Sequence, residues 1–169
     1  MTTPVYNDVK SLQTVLYVAG KNQSKDFHKI FKIIYFADRA HLSKYGRPIT
    51  GDTYIAMEFG PVPSYIYDWV KQNSKPNYLN IVGYNIEPKV DADLSKLSVS
   101  DVRALDESIE EYGDLDMGIL TQLSHQFAWS SASKNGLMSI ENILKETGSD
   151  QKYIDYICEH IALEKSLLY

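Results

Sequence analysis

The stretch that decides the fold runs from Ser24 to Gln72: SKDFHKIFKIIYFADRAHLSKYGRPITGDTYIAMEFGPVPSYIYDWVKQ. Ser24 is a good N-cap, and Gly46 with Pro48 is a Gly-then-Pro stop, so the spacing predicts a helix from about Lys25 to about Tyr45. At roughly 100° per residue, Phe27, Ile30, Phe31, Ile33, Ile34, Ala37 and Leu42 cover well over half of its circumference. Such a helix belongs at the centre of a domain. Lys29, Lys32, Arg39 and Ser43 share the remaining stripe, with His28 at its edge, and that stripe is expected to meet water.

Two polar residues interrupt the apolar face. Asp38 and His41 project onto it at helical-neighbour spacing. A buried carboxylate or imidazole left without a partner costs several kcal/mol, so both must be engaged. They are expected to form a structural polar pair that pins the following turn through the backbone of Arg47 to Asp52. The rival reading is a functional polar site.

Beyond that helix, Arg47-Pro48 forces an extended step and Thr50-Gly51-Asp52 is turn chemistry. Thr53 to Phe59 then alternates, with Ile55, Met57 and Phe59 on one side and Tyr54, Ala56 and Glu58 on the other, the pattern of a half-buried strand. Gly60-Pro61-Val62-Pro63 is expected to end the strand, with Pro63 at the first position of the next helix. That helix has Ile66, Trp69 and Val70 on its core face.

The run KIIYFADRAHLSKYGRPITGDTYIAMEFGPVPSYIYD closely resembles the Panacea domain, the SocA-like group of bacterial and phage-associated antitoxins. The likeness is carried by KIIYFAD (Lys32 to Asp38), YGRPITGD (Tyr45 to Asp52) and FGPVPSYIYD (Phe59 to Asp68). LTQLSHQFAW (Leu120 to Trp129) is similar to that family's late helix, with Ser124 where Thr is expected before the histidine. The resemblance implies an antitoxin that neutralises a cognate toxin, encoded by the adjacent gene, through direct binding. It also implies a proteolytic adaptor role, in which the toxin is delivered to a ClpXP-type protease. On matching positions it implies a partner-binding surface of Tyr45, Arg47, Asp52, Phe59, Pro61 and Tyr65, with His125 and Trp129 beside it. Aromatic residues and Arg dominate binding hot spots, and rigid turns lower the entropy lost on binding. The glycines and prolines of the motif are equally expected where the backbone itself requires them, and the segment Tyr78 to Asp93 is an alternative contact region.

Composition bounds the rest. With 169 residues, 44% hydrophobic and 23% charged, the chain has the make-up of one soluble domain with a real core, read as residues 1–169. The formal charge of −5 argues against a passive polyphosphate binder, and 13 tyrosines suit protein contacts. Cys158 stands alone, so no internal disulfide is possible and a reduced, cytoplasmic setting fits. The first residues, MTTPVYNDV, lack the basic and apolar regions of a signal peptide, and no run reaches membrane-spanning length.

Outside the central stretch, a first helix is expected over Asn7 to Ala19, ended by Gly20. One or two short strands within Tyr78 to Val90 are expected to pair with Thr53 to Phe59, because a lone strand leaves backbone groups unsatisfied. Ser98 and Asp101 form a capping-box start for a helix up to Gly113. Another helix starts near Asp116 and ends at His125 and Trp129. After a flexible Ser130–Gly136 loop, a short helix opens at Ser139, and a last helix opens near Asp150 with Ile154, Ile157, Ile161 and Leu168 at core spacing. The fold class is therefore mainly α with a small antiparallel β-sheet, with about six or seven helices.

No phosphate-binding loop, dinucleotide fingerprint or nucleophile elbow is present. The four histidines are scattered and none has metal-ligand spacing, so neither metal nor cofactor is expected. A hydrolase reading would need Asp38, His41 and His125, with Glu58, to converge in space. A promoter-binding regulator is the other alternative, with Lys25, Lys29, Lys32 and Arg39 as phosphate contacts. Charge balance and the lack of a helix-turn-helix signature argue against it.

Overall fold

A computed structural model describes all residues, Met1–Tyr169. The chain runs α1 (Asp8–Lys21), α2 (Phe27–Tyr45), β1 (Tyr54–Met57), β2 (Gly60–Pro63), α3 (Ser64–Lys71), β3 (Leu79–Val82) and β4 (Asn85–Pro88). A 3-10 turn at Leu94–Lys96 precedes α4 (Val99–Tyr112), α5 (Met117–Ser124), α6 (Phe127–Ser130), α7 (Ile140–Glu146) and α8 (Gln151–Ser166).

Helix α2 is the axis. Twelve of its 19 residues are buried, and the nine apolar ones divide between two clusters, leaving Lys32, Asp38 and His41 as buried polar groups. Phe27, Ile30, Phe31, Ile33, Ile34 and Ala37 pack with α1, α3, α4 and the β3–β4 hairpin. Tyr35, Phe36 and Leu42 pack instead with Leu120, α7 and α8. A helix with two apolar faces must be covered on both, and each Ile or Phe so buried contributes roughly 1.5–3 kcal/mol. Its N-cap is Asp26 rather than Ser24: the Asp26 carboxylate accepts the His28 and Lys29 N–H groups, so the helix begins two residues later than its sequence suggests.

The stripe expected to meet water is largely engaged. Lys25 donates to the Ala19 and Asn22 carbonyls at the end of α1, and Lys29 donates to the Gly113 carbonyl at the end of α4. Arg39 pairs with Glu146 at 2.9 Å. Lys32 is buried. Cations at helix C-termini satisfy orphan carbonyls, so these residues tie helices together. They do not form the phosphate-contacting face that the promoter-binding alternative requires.

Strand β1 pairs antiparallel with β2, with Tyr54 opposite Pro63 and Met57 opposite Gly60. The Gly60–Pro63 segment is thus the return strand of a hairpin rather than a terminator. Pro61 and Pro63 lack N–H groups and fit an edge strand. The other edge of β1 is taken by Asn135 to Met138, where Met138 N–H donates to the Tyr54 carbonyl at 2.8 Å. Both edges being occupied, β3 and β4 form a separate two-stranded sheet, docked on the start of α2 through Ile86 N–H to Lys25 O. The expected pairing of that region with Thr53–Phe59 does not occur.

Smaller differences have local causes. Gly20 lies inside α1, which ends at Lys21 with Asn22 as its C-cap. The helix through His125 breaks at His125–Gln126 into α5 and α6, bringing the total to eight α-helices. Leu168 lies beyond the end of α8 and is exposed. No helix is long and apolar enough to cross a membrane.

Candidate partner-binding surface

The turn after α2 is built on Asp38. Its carboxylate accepts the Ile49 N–H at 2.7 Å, the Thr50 N–H at 3.1 Å, the Thr50 hydroxyl at 2.6 Å and the Tyr54 hydroxyl at 2.6 Å. Burial pushes its pKa up, against the pull of these hydrogen bonds from Thr50, Tyr54 and Ile49. At Gly51, which has φ +70°, a Cβ would lie 1.9 Å from the Val5 carbonyl oxygen, so the N-terminal segment closes over this turn only because that side chain is absent.

His41 is fully buried and turns the other way. Its Nδ1 lies 2.7 Å from the Arg47 carbonyl, and Nε2 lies 2.9 Å from the Ser100 hydroxyl. Burial lowers its pKa, against the Arg47 carbonyl. Close by, Asp101 binds Lys10 at 2.7 Å and Arg47 at 3.1 Å. Burial alone would raise the Asp101 pKa, but Lys10, the Ser98 N–H and Arg47 together hold it below the usual carboxylate range. Asp38 and His41 therefore hold successive parts of the 47–54 segment, each through its own partners rather than by bonding to one another.

Asp52 continues the scheme. Pro63 stands at the N-cap of α3 and offers no side-chain acceptor. Asp52 supplies it instead, accepting the Tyr65 and Ile66 N–H groups, both at 3.0 Å. Burial pushes its pKa up to about 7, against those backbone bonds.

These facts sort the eight surface positions. Asp52 and Pro61 are buried, so they shape the corner from inside. Phe59 (61% exposed), Tyr65 (52%) and Tyr45 (43%) present aromatic surface, and the Arg47 side chain is 44% exposed while still bonded to Asp101 and Ser98. Tyr65 stacks on Tyr6 with ring centroids 4.4 Å apart, at the base of the β1–β2 hairpin. Phe59 sits at the hairpin tip, about 10 Å along the strands. His125 and Trp129 flank that tip: their rings stack at 3.7 Å, and the Trp129 indole donates to the Met57 carbonyl at 2.8 Å.

The residues named for hydrolysis are arranged otherwise. Asp38 and His41 are buried and bonded, Glu58 is exposed, and His125 lies against Trp129 at the hairpin tip, so the four do not make one open catalytic cluster. No group of three or more His, Cys, Asp or Glu side chains is gathered where a metal ion would be held.

Some participants had no local signal. Tyr54 read as one face of a strand, yet its hydroxyl binds Asp38. Glu146 accepts from Tyr35, Arg39 and the Ala128 N–H across more than a hundred residues in two of those cases. Lys32 counted as solvent-facing because only its spacing was visible. An open groove beside Phe59, lined also by His28, Tyr84 and Met117, is formed by four segments distant in sequence.

A family model described as "Antitoxin SocA-like, Panacea domain" matches residues 30–130. The chain belongs to this family. The match covers well over half of the 169 residues and takes in most of α2, the Asp38 turn, both hairpins and α3 to α5. Helices α1, α7 and α8 lie outside it and cover the two faces of α2. No curated protein and no solved structure matches the chain. The SocA-like Panacea family is an antitoxin-type family, and the matched stretch includes the Asp38 turn and the Phe59–Pro63 corner.

Proposed function

We propose that this chain is an antitoxin that neutralises a cognate toxin by direct protein–protein binding, acting as one domain without a chemical step of its own. The observation that carries the reading is membership of the SocA-like Panacea family. The exposed aromatic side chains of Tyr45, Phe59 and Tyr65 on a corner braced by Asp38 and Asp52 support it. A braced scaffold presents such side chains at low entropic cost. The toxin is the product of the neighbouring gene, and the protein works in the cytoplasm. As an adaptor, it would in addition hand the bound toxin to a ClpXP-type protease.

Co-expression tests this. The neighbour's product should arrest growth alone, lose its toxicity when this chain is present, and co-purify with it. A neighbour that is harmless, or that remains toxic and unbound, defeats the reading. The adaptor form requires the toxin's lifetime to shorten only when this chain and the protease are both present.

A further inference from the structure

Four separate segments meet in one open groove of about 720 Å³. Asp26 and His28 come from the start of α2, Phe59 from the β1–β2 turn, Tyr84 from the β3–β4 turn, and Met117 and Gly118 from α5. Phe59 is 61% exposed and Tyr84 is 65% exposed, so two aromatic side chains from distant parts of the chain stand uncovered in one place. Aromatic and Met side chains gathered in this way are the make-up of a protein contact. Small-molecule pockets enclose most of their ligand, whereas this groove opens to solvent.

Its charge is of one sign. Asp26 lines the groove and caps α2 through Oδ1 alone, so Oδ2 has no partner within the protein. Asp116 caps α5 in the same manner, through Oδ1 to the Ile119 N–H, and that oxygen lies 3.2 Å from where a Cβ on Gly118 would stand. A second carboxylate thus sits against the groove wall with one oxygen unused. No lysine or arginine lines the groove, and His28, the one ring there able to take a proton, lies 3.4 Å from Asp26. The nearby lysines are engaged elsewhere: Lys25 donates to the Ala19 and Asn22 carbonyls, and Lys29 to the Gly113 carbonyl. An apolar groove with two half-free carboxylates and a chain charge of −5 complements a basic partner.

The backbone settles the form of that partner. None of the lining residues belongs to β1–β4, and the outer edge of β4 is already taken by Lys25 and Phe27, through Ile86 N–H to Lys25 O and Phe27 N–H to Tyr84 O. The groove therefore offers an incoming segment no strand edge to pair with. A segment that enters must satisfy its own backbone, as a helix does.

We infer that this groove docks a basic amphipathic helix of the toxin, with apolar side chains against Phe59, Tyr84 and Met117 and Lys or Arg side chains on Asp26 and Asp116. The choice of partner rests on the antitoxin reading; the helix and its charge rest on the groove.

The first test titrates the full-length protein with a leucine–lysine amphipathic helical peptide and with its leucine–glutamate counterpart, followed by fluorescence anisotropy and backbone amide NMR. Saturable binding of the lysine peptide is expected, at least roughly tenfold tighter than the glutamate peptide, with shifts at Asp26, Tyr84 and Gly118. Tyr84→Lys, at an exposed turn position, should weaken the lysine peptide at least roughly tenfold. Asp26→Asn with Asp116→Asn keeps both caps, removes both charges and should erase the preference for lysine over glutamate. No saturable binding, equal affinity for the two peptides, or shifts confined to another face would overturn the assignment. The second test uses the neighbouring gene's product. A toxin that binds the wild type and Tyr84→Lys equally overturns the inference and leaves the antitoxin reading intact. A neighbour that binds neither protein defeats that reading alone, and the peptide titration then decides the groove.

Discussion

The Asp52 carboxylate accepts the backbone N–H of Ile66 at 3.0 Å, fourteen residues along the chain, and so caps a helix whose own N-cap position is a proline. The corner and the helix after it are thereby one unit: the residue that closes the α2–β1 turn also caps the start of α3. Asp38 works the same way one step earlier, so two buried carboxylates fix the path of the motif.

Asp52→Ala should cost about 2–4 kcal/mol, the loss of a cap plus buried N–H groups left unpaired. Asp52→Asn retains one acceptor oxygen and should cost roughly half of that. Urea unfolding followed by circular dichroism measures both. An Asp52→Ala variant with an unchanged midpoint would show that the cap does not matter.

The Asp52 pKa also sets a slope. Its folded value, about 7, lies above the unfolded value of about 4, so its contribution is fully present below about pH 4. It is lost as pH rises through about 7, a difference on the order of 4 kcal/mol. Stability should therefore decline between those values in the wild-type protein, and Asp52→Asn should flatten that part of the profile.

Lys32 acts in a different window. Its folded pKa, about 8, lies below the unfolded value of about 10.4, so stability from this group is present above about pH 10.4 and lost as pH falls through about 8. At neutral pH the buried charge costs on the order of 3 kcal/mol. Lys32→Met, which keeps the length and drops the charge, should raise the unfolding midpoint at pH 7 and remove the rise in stability at alkaline pH. A destabilised Lys32→Met protein would mean that the ammonium has a partner after all.

How much of this was legible beforehand follows from the range of each interaction. The α2 helix, its Gly46 stop and the Ser98–Asp101 capping box are local in sequence, and they form as their spacing predicts. The partners of Asp38 and His41 begin within a dozen residues, and the turn they pin was foreseen. Lys32 was misplaced because helical spacing gives a direction but not what packs there; α5 and the Gly60 corner arrive from far along the chain. The hairpin at Gly60 was hidden by its two prolines, which read as a stop but serve as an edge strand. The separation of the two sheets was hidden for another reason. Residues 135–138, which occupy the free edge of β1, carry loop-like chemistry and no strand pattern of their own.

Gly60→Ala should be among the costliest single changes at the corner. Gly60 has φ +115°, and a Cβ there would meet Ser124 Oγ at 2.5 Å and Lys32 Nζ at 2.8 Å. Strain of this kind costs about 1–3 kcal/mol from the backbone alone, with the displaced amine and hydroxyl adding to it. Thermal unfolding should show a lower midpoint than for Gly83→Ala, where φ is also positive but a Cβ meets open space. Equal losses at the two glycines would assign the whole effect to φ.

The proposed toxin-contact surface makes the last prediction. Phe59 is 61% exposed in the turn between the paired Met57 and Gly60, so truncating it removes contact area without opening a cavity. Trp129 differs, since its indole also holds the Met57 carbonyl. Phe59→Ala should therefore weaken toxin binding by at least roughly tenfold while shifting the unfolding midpoint by no more than about 2 °C. Trp129→Ala should lower both affinity and stability. Arg47→Ala should act mainly on stability, because its guanidinium is already committed to Asp101 and Ser98 and its loss leaves the buried Asp101 with less compensation. Pull-downs paired with thermal melts separate the three cases. A Phe59→Ala protein that binds and neutralises like the wild type would move the interface off this corner, towards the exposed Tyr78, Val82 and Tyr84 of the second hairpin.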